Sequence, residues 1–133
     1  MSNGRNLNEL NQIFAAGHSL ALCDAQLPWA AYIKPLVHIR QEYKDALIYG
    51  KQAYQPATGD KDVAAYYYEG SKNRLITAVN TSAQRHYTGS LTLPAAEAGS
   101  TWQDLLTEEV YKSKDGKLTL KIPPDGLRVL QRK

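Results

Sequence analysis

The strongest constraint in this sequence is a single change of hydrophobic period near Leu47. Upstream, Leu7, Leu10, Ile13 and Phe14 recur at helical spacing. Asn6 and Glu9 stand as a capping-box pair before them, and Gly17 follows as a stop. A second stripe starts near Pro28, a residue suited to a first helical turn, and carries Trp29, Ile33 and Leu36. Tyr32, Leu36, Ile39, Tyr43 and Leu47 overlap it. Pro35 removes a backbone donor and disfavours α geometry at Lys34. The spacing therefore predicts a break there, with a helix from Pro35 to about Asp45.

Beyond Leu47 the pattern alternates. Val63–Glu69 and Arg74–Asn80 read as the two strands of a hairpin around Gly70-Ser71-Lys72-Asn73. Tyr87, Gly89, Leu91 and Leu93 alternate with polar residues until Pro94 ends the strand. Trp102–Thr107 is a short strand and Glu109–Ser113 an edge strand. Asp115-Gly116 is a hairpin turn. Leu118, Leu120 and Ile122 alternate with Lys117, Thr119 and Lys121, which predicts one buried and one wet face. Pro123-Pro124-Asp125-Gly126 turns the chain into a last strand, Leu127–Gln131.

Helices that precede the strands, and do not alternate with them, exclude a doubly wound α/β fold. The expectation is a mainly β protein: short N-terminal helices, then an antiparallel Greek-key β-sandwich of about seven strands. The division falls into a helical lead-in over residues 1–46 and an all-β domain over 47–133.

The 133 residues are one domain's worth, enough to bury roughly two-thirds of the unfolded surface. With 43% hydrophobic and 22% charged residues, the chain has the balance of a globular protein and not of a disordered one. The net charge of +3 comes from scattered Lys and Arg, whereas nucleic-acid surfaces concentrate basic charge, so no nucleic-acid partner is expected. A polar start (Met1-Ser2-Asn3-Gly4-Arg5-Asn6) and the lack of a long apolar run predict a soluble chain with no signal peptide and no membrane partner. Cys23 stands alone, so it reads as a small buried side chain.

Several segments of the second half resemble the C-terminal β domain of α-amylase-superfamily glycoside hydrolases. Trp102-Gln103-Asp104-Leu105-Leu106-Thr107-Glu108 is similar to that family's Trp-x-Asp-Leu-Leu-Thr-Gly-Glu run. Gly116–Pro124 and Gly126–Leu130 are similar to the strands that follow it. Arg74–Ser82 resembles the strand ending in Val-Asn-x-Ser, and Ile33–Tyr43 resembles the last helix of the catalytic barrel. The resemblance covers residues 30–131 in order, with one departure: Glu109 falls where the family often has glycine, unless the turn is shifted by one residue. It implies a parent with a (β/α)₈ barrel followed by a β-sandwich. A barrel takes ~250 residues, so the family's catalytic acids have no counterpart here and none is carried over.

The residues themselves point the same way. Glu108 and Glu109 are adjacent and face opposite sides, and Asp60 and Asp62 share a polar loop, whereas glycoside hydrolysis needs two carboxyls facing across a bond. His18, Ser19 and Asp24 lack the strained nucleophile turn of a triad. His18, His38 and His86 have no metal-ligand spacing, and no glycine-rich phosphate loop occurs, so neither metal nor cofactor is expected. The aromatic residues remain: Tyr66, Tyr67, Tyr68 and Trp102 are the carbohydrate-binding candidates, against the alternative that they fill a core or an interface. The function expected is a non-catalytic accessory domain that packs on a catalytic barrel through the helical stripe. Self-association through that stripe, or a stand-alone carbohydrate-binding module, is the alternative.

Overall fold

The computed structural model describes residues 11, 12, 14–16 and 30–133. Residues 11, 12, 14 and 15 are helical. Helix α1 follows (Ala30–Glu42), then a short helix α2 (Lys44–Leu47). The strands are β1 (Lys51–Tyr54), β2 (Val63–Glu69), β3 (Arg74–Asn80), β4 (Tyr87–Thr92), β5 (Thr101–Asp104), β6 (Val110–Lys112), β7 (Lys117–Ile122) and β8 (Leu127–Arg132). A 3₁₀ turn, Ala95–Glu97, joins β4 to β5. The expected Asn6 cap, Leu7, Leu10, Ile13, Gly17, Pro28 and Trp29 lie outside the described residues.

The strands form two antiparallel sheets. One has six strands in the order β1-β2-β3-β8-β5-β6, and the other is the pair β4-β7. The β2–β3 hairpin runs in unbroken register from Val63↔Asn80 to Glu69↔Arg74. β8 then inserts between β3 and β5, with Leu75↔Gln131 on one side and Gln103↔Gln131 on the other.

The central strands are covered on both faces. Val63, Ala65, Tyr67, Ile76, Ala78, Trp102 and Leu130 pack against Tyr87, Leu91, Leu118, Leu120 and Ile122 of the two-stranded sheet. Tyr68, Leu75, Val79, Leu127 and Val129, on the opposite face, pack against Phe14, Leu36, Ile39, Ala46 and Leu47 of the helices. Successive side chains of a strand point to opposite faces, so a strand buried at almost every position needs two covering layers. β3 has that pattern from Leu75 to Asn80. The molecule is thus three layers deep, with helices, large sheet and small sheet stacked in that order.

Ala15 ties the helical layer to the sheet. Its carbonyl accepts both the Tyr68 hydroxyl and the Thr77 hydroxyl, each at 2.7 Å. Asn80 ties the far end of β3 to the small sheet and the loop before it. Its Nδ2 donates to the carbonyls of Arg85 (2.8 Å) and Ile122 (3.2 Å), and its Oδ1 accepts from Ser82 N–H. The Asp115-Gly116 turn has positive φ at both residues (53° and 74°), with Lys114 and Lys117 exchanging backbone hydrogen bonds across it. β7 alternates exposed and buried without exception.

Two expectations need correction, the break at Pro35 and the reach of the strand at Trp102. The helix is not broken at Pro35, which lies inside α1. An interior proline costs ~3 kcal/mol. Leu36 and Ile39 beyond it are buried, each worth about 1.5–3 kcal/mol, so packing outweighs the lost hydrogen bond. The strands number eight, in keeping with the expected seven or so; Lys51–Tyr54 adds itself by pairing with the edge of β2. The strand expected to run to Thr107 stops at Asp104, whose side chain accepts Leu106 N–H at 2.8 Å and turns the chain. The turn is shifted by one residue, the alternative left open above: Glu108 takes the glycine-like conformation (φ 66°).

Candidate functional site

Of the four aromatic candidates, three are interior. Trp102 is 0% exposed, and Tyr67 and Tyr68 are buried on opposite faces of β2. Trp102 meets Tyr67 edge to face, with ring centroids 6.4 Å apart. Its Nε1 donates to Ser100 Oγ at 2.7 Å. The Tyr67 hydroxyl donates to Glu97 Oε1 at 3.0 Å, and burial, followed by that carboxylate, pushes its pKa up to about 12. Burial likewise pushes Tyr68 up to about 12. Tyr66 is half-buried beside the helical cluster and is the one of the four with accessible ring.

Three of the four carboxylates weighed as catalytic pairs, Asp60, Asp62 and Glu109, are engaged elsewhere. Arg85 bridges Asp60 (3.3 Å) and Asp62, and the Asp62 backbone N–H, with Arg85 behind it, holds the Asp60 carboxyl below the usual range. Glu109 accepts the Tyr111 hydroxyl at 2.9 Å. Both buried carboxylates among the described residues, Glu97 and Asp104, stand beside arginines. Arg132 Nε lies 2.5 Å and Arg74 Nε 3.5 Å from Glu97, and Arg128 lies 3.4 Å from Asp104. Burial pushes the Asp104 carboxyl up, against the Leu106 N–H and Arg128 that favour its charge. Glu97 was not singled out by the sequence, since a glutamate in an Ala-rich loop reads as solvated.

The triad candidates His18, Ser19 and Asp24, with Cys23, lie outside the described residues. His38 is exposed and sits 3.2 Å from Glu42, one turn on, and His86 is exposed. No group of three or more metal-ligating side chains is assembled among the described residues.

Two open concavities mark the helical side. One, about 400 Å³, is lined by Lys34, Pro35, His38 and Ile39 of α1 and by Leu105 of the turn after β5. It is mostly apolar. The other, about 360 Å³, lies where α2 meets β1 and the β2–β3 hairpin. Tyr49 on its wall is 79% exposed. Nothing in the residues around it marked Tyr49 in advance, because it falls where the helical and alternating periods meet.

No helix among the described residues is long and apolar enough to cross a membrane. No protein-family model matches the chain, and no curated protein matches it. Solved structures do. An α-amylase from Anoxybacillus superimposes with a TM-score of 0.70 at 14% identity, over 97% of this chain and 32% of its own. A noncanonic maltogenic α-amylase, AmyB from Thermotoga neapolitana, superimposes with a TM-score of 0.67 at 9% identity, over 98% of this chain and 37% of its own. A variant of AmyP in complex with maltotriose gives 0.64 at 22% identity, over 84% and 22%. Residues 47–133 are about two-thirds of the sequence, so cover of 97% takes in the helical lead as well as the sheets. The chain spans about a third or less of the length of these enzymes and has the fold of that part of them.

Proposed function

We propose that this chain is a non-catalytic accessory domain of a glycoside hydrolase, one that packs on a catalytic barrel and stabilises it. The observation that carries the reading is the pairing of near-complete cover of this chain with cover of only 22–37% of the α-amylases it resembles. In this reading residues 1–46 correspond to the end of the barrel's helical coat and 47–133 to the β domain. The apolar groove along α1, with Pro35, Ile39 and Leu105 on its walls, is the docking face. Inter-domain faces of this kind are partly apolar, and both sides gain by covering them. The engagement of the described buried carboxylates by arginines supports the non-catalytic part of the reading.

The test is a fusion. An α-amylase barrel stripped of its own C-terminal β domain is joined to this chain, and its melting is compared with that of the bare barrel. The fusion is expected to melt about 5 °C higher or more. Equal melting temperatures, or turnover of glucans by the isolated chain, would sink the reading.

A further inference from the structure

The groove at Tyr49 belongs to neither the core nor the docking face. It is walled by Asp45, Tyr49, Lys51, Glu69 and Ser71, and it is open at its rim. Tyr49 presents most of its ring to solvent, whereas Tyr67 and Tyr68 are buried. A tyrosine usually hides its ring and wets its hydroxyl, so an uncovered ring in a concavity is a surface in want of a ligand.

The surroundings limit what that ligand is. Asp45 and Glu69 offer carboxylate acceptors, Lys51 an ammonium donor, and Ser71 a hydroxyl that does both. Arg74 Nε lies 3.9 Å from Glu69, so two carboxylates stand against two cations, and the rim has no net charge to draw an ion. A purely apolar ligand would leave the polar rim without partners. A neutral ring with an apolar face and hydroxyls at its edge meets both demands. The open rim lets such rings continue on either side as a chain.

The site is also stiff. Asp45 accepts the backbone N–H groups of Lys72 and Asn73 (each 2.8 Å) and Asn73 Nδ2 (2.9 Å), which locks the hairpin loop against α2. At Gly50 an added Cβ would stand 2.3 Å from the Ala46 carbonyl oxygen. At Gly70 it would stand 2.6 Å from the Ala46 backbone nitrogen. The floor is therefore backbone packed on backbone, and little ordering remains to be done on binding.

We infer that this groove is a saccharide-binding site, in which Tyr49 stacks on one sugar ring of a neutral glucan while Asp45, Lys51, Glu69 and Ser71 bond its hydroxyls. The choice of glucan rests on the reading of the chain as part of a glycoside hydrolase. The site would hold the enzyme on its polymer away from the cleavage point.

The experiment titrates the isotope-labelled 133-residue chain with maltoheptaose and follows backbone amide shifts by NMR. Shifts are expected at residues 45–51 and 69–71. Tyr49→Ala should weaken binding about tenfold or more, and Tyr49→Phe should stay within about twofold, because the ring and not the hydroxyl does the stacking. Tyr49 is exposed, so both variants should keep the wild-type Trp102 indole signal, which serves as the folding check. No shifts at about 10 mM sugar, shifts elsewhere, an unaffected Tyr49→Ala, or binding of a tetralysine peptide in place of the glucan would each overturn the site. The barrel fusion reads separately. A chain that stabilises the barrel yet ignores maltoheptaose loses this site and keeps the accessory role. A chain that binds the sugar without stabilising a barrel does the reverse.

Discussion

Arg132, the last residue of β8, closes on Glu97 of the β4–β5 connection at 2.5 Å, and that contact anchors a buried carboxylate at one end of the large sheet. Arg74 approaches the same carboxylate, and Tyr67 donates to it. Breaking a fully buried ion pair costs 3–5 kcal/mol. Here the arginine side chains are 42% and 39% exposed and keep much of their water, so the effect is smaller. Glu97→Gln should destabilise the chain by about 2 kcal/mol in urea unfolding. A loss below about 0.5 kcal/mol would mean that the pair is energetically neutral.

Trp102 is the largest fully buried side chain among the described residues and belongs to the core shared by both sheets. Trp102→Ala should cost about 3–5 kcal/mol, as deletion of a core aromatic does. Trp102→Phe should cost less, about 1–2 kcal/mol, because the ring survives while Ser100 Oγ loses its donor. Equal losses for the two variants in denaturant melts would contradict this division between ring and indole N–H.

Glu108 holds a positive φ of 66° in the turn after β5, a conformation that strains any residue with a Cβ. Its backbone N–H donates to the Asp104 carbonyl at 2.8 Å, so the turn cannot relax without losing that bond. Glu108→Gly should raise stability by about 0.5–1 kcal/mol, net of the added freedom of the unfolded chain. A destabilised variant would show that the glutamate side chain makes up the strain.

Asp45 should leave a signature in acid. Burial works to raise its carboxyl, but the hydrogen bonds from Asn73 and Lys72 outweigh it and hold the group below the usual range. A carboxyl lowered on folding stabilises the native state above the unfolded value, near 3.8, and that contribution fades as pH falls below it. Asp45→Asn should therefore cost about 1 kcal/mol at neutral pH, with the gap to wild type narrowing below about pH 4. A gap independent of pH in thermal melts between pH 2 and about 7 would show that the charge is irrelevant.

The alkaline side should be governed by Tyr67 and Tyr68, each pushed up to about 12 chiefly by burial. An acid raised on folding favours the native state while protonated, and that advantage is lost as pH climbs from about 10 through about 12. In a near-ultraviolet titration of the nine tyrosines, at least two should ionise late and together with loss of the fold. Complete ionisation near pH 10 with native structure intact would refute the burial of both rings.

Much of the sheet was legible residue by residue. Val63–Glu69 and Arg74–Asn80 have the bounds that their turn and apolar run announce. The wet and dry faces of β7 follow from its alternation. Trp102 and the tyrosines were legible as aromatics that fill a core or an interface, but which of them point inward was not. Which face is covered depends on the layers that come to lie there. Glu97 and Tyr49 were illegible for the opposite reason: neither sits in a pattern, and each owes its place to distant segments, Arg74 and Arg132 for one, the β2–β3 hairpin for the other.

Local chemistry in the chain determined where strands begin, where turns need positive φ, and that helices come first and strands after, because these depend on neighbours a few residues apart. Tertiary structure alone decided that β8 inserts between β3 and β5 and that six strands share one sheet against two. It also recruited Lys51–Tyr54, mostly exposed and without an apolar face, as a strand by pairing it with β2, and it carried α1 through Pro35. Those outcomes turn on burial summed over residues far apart in sequence, and a local pattern has no access to that sum.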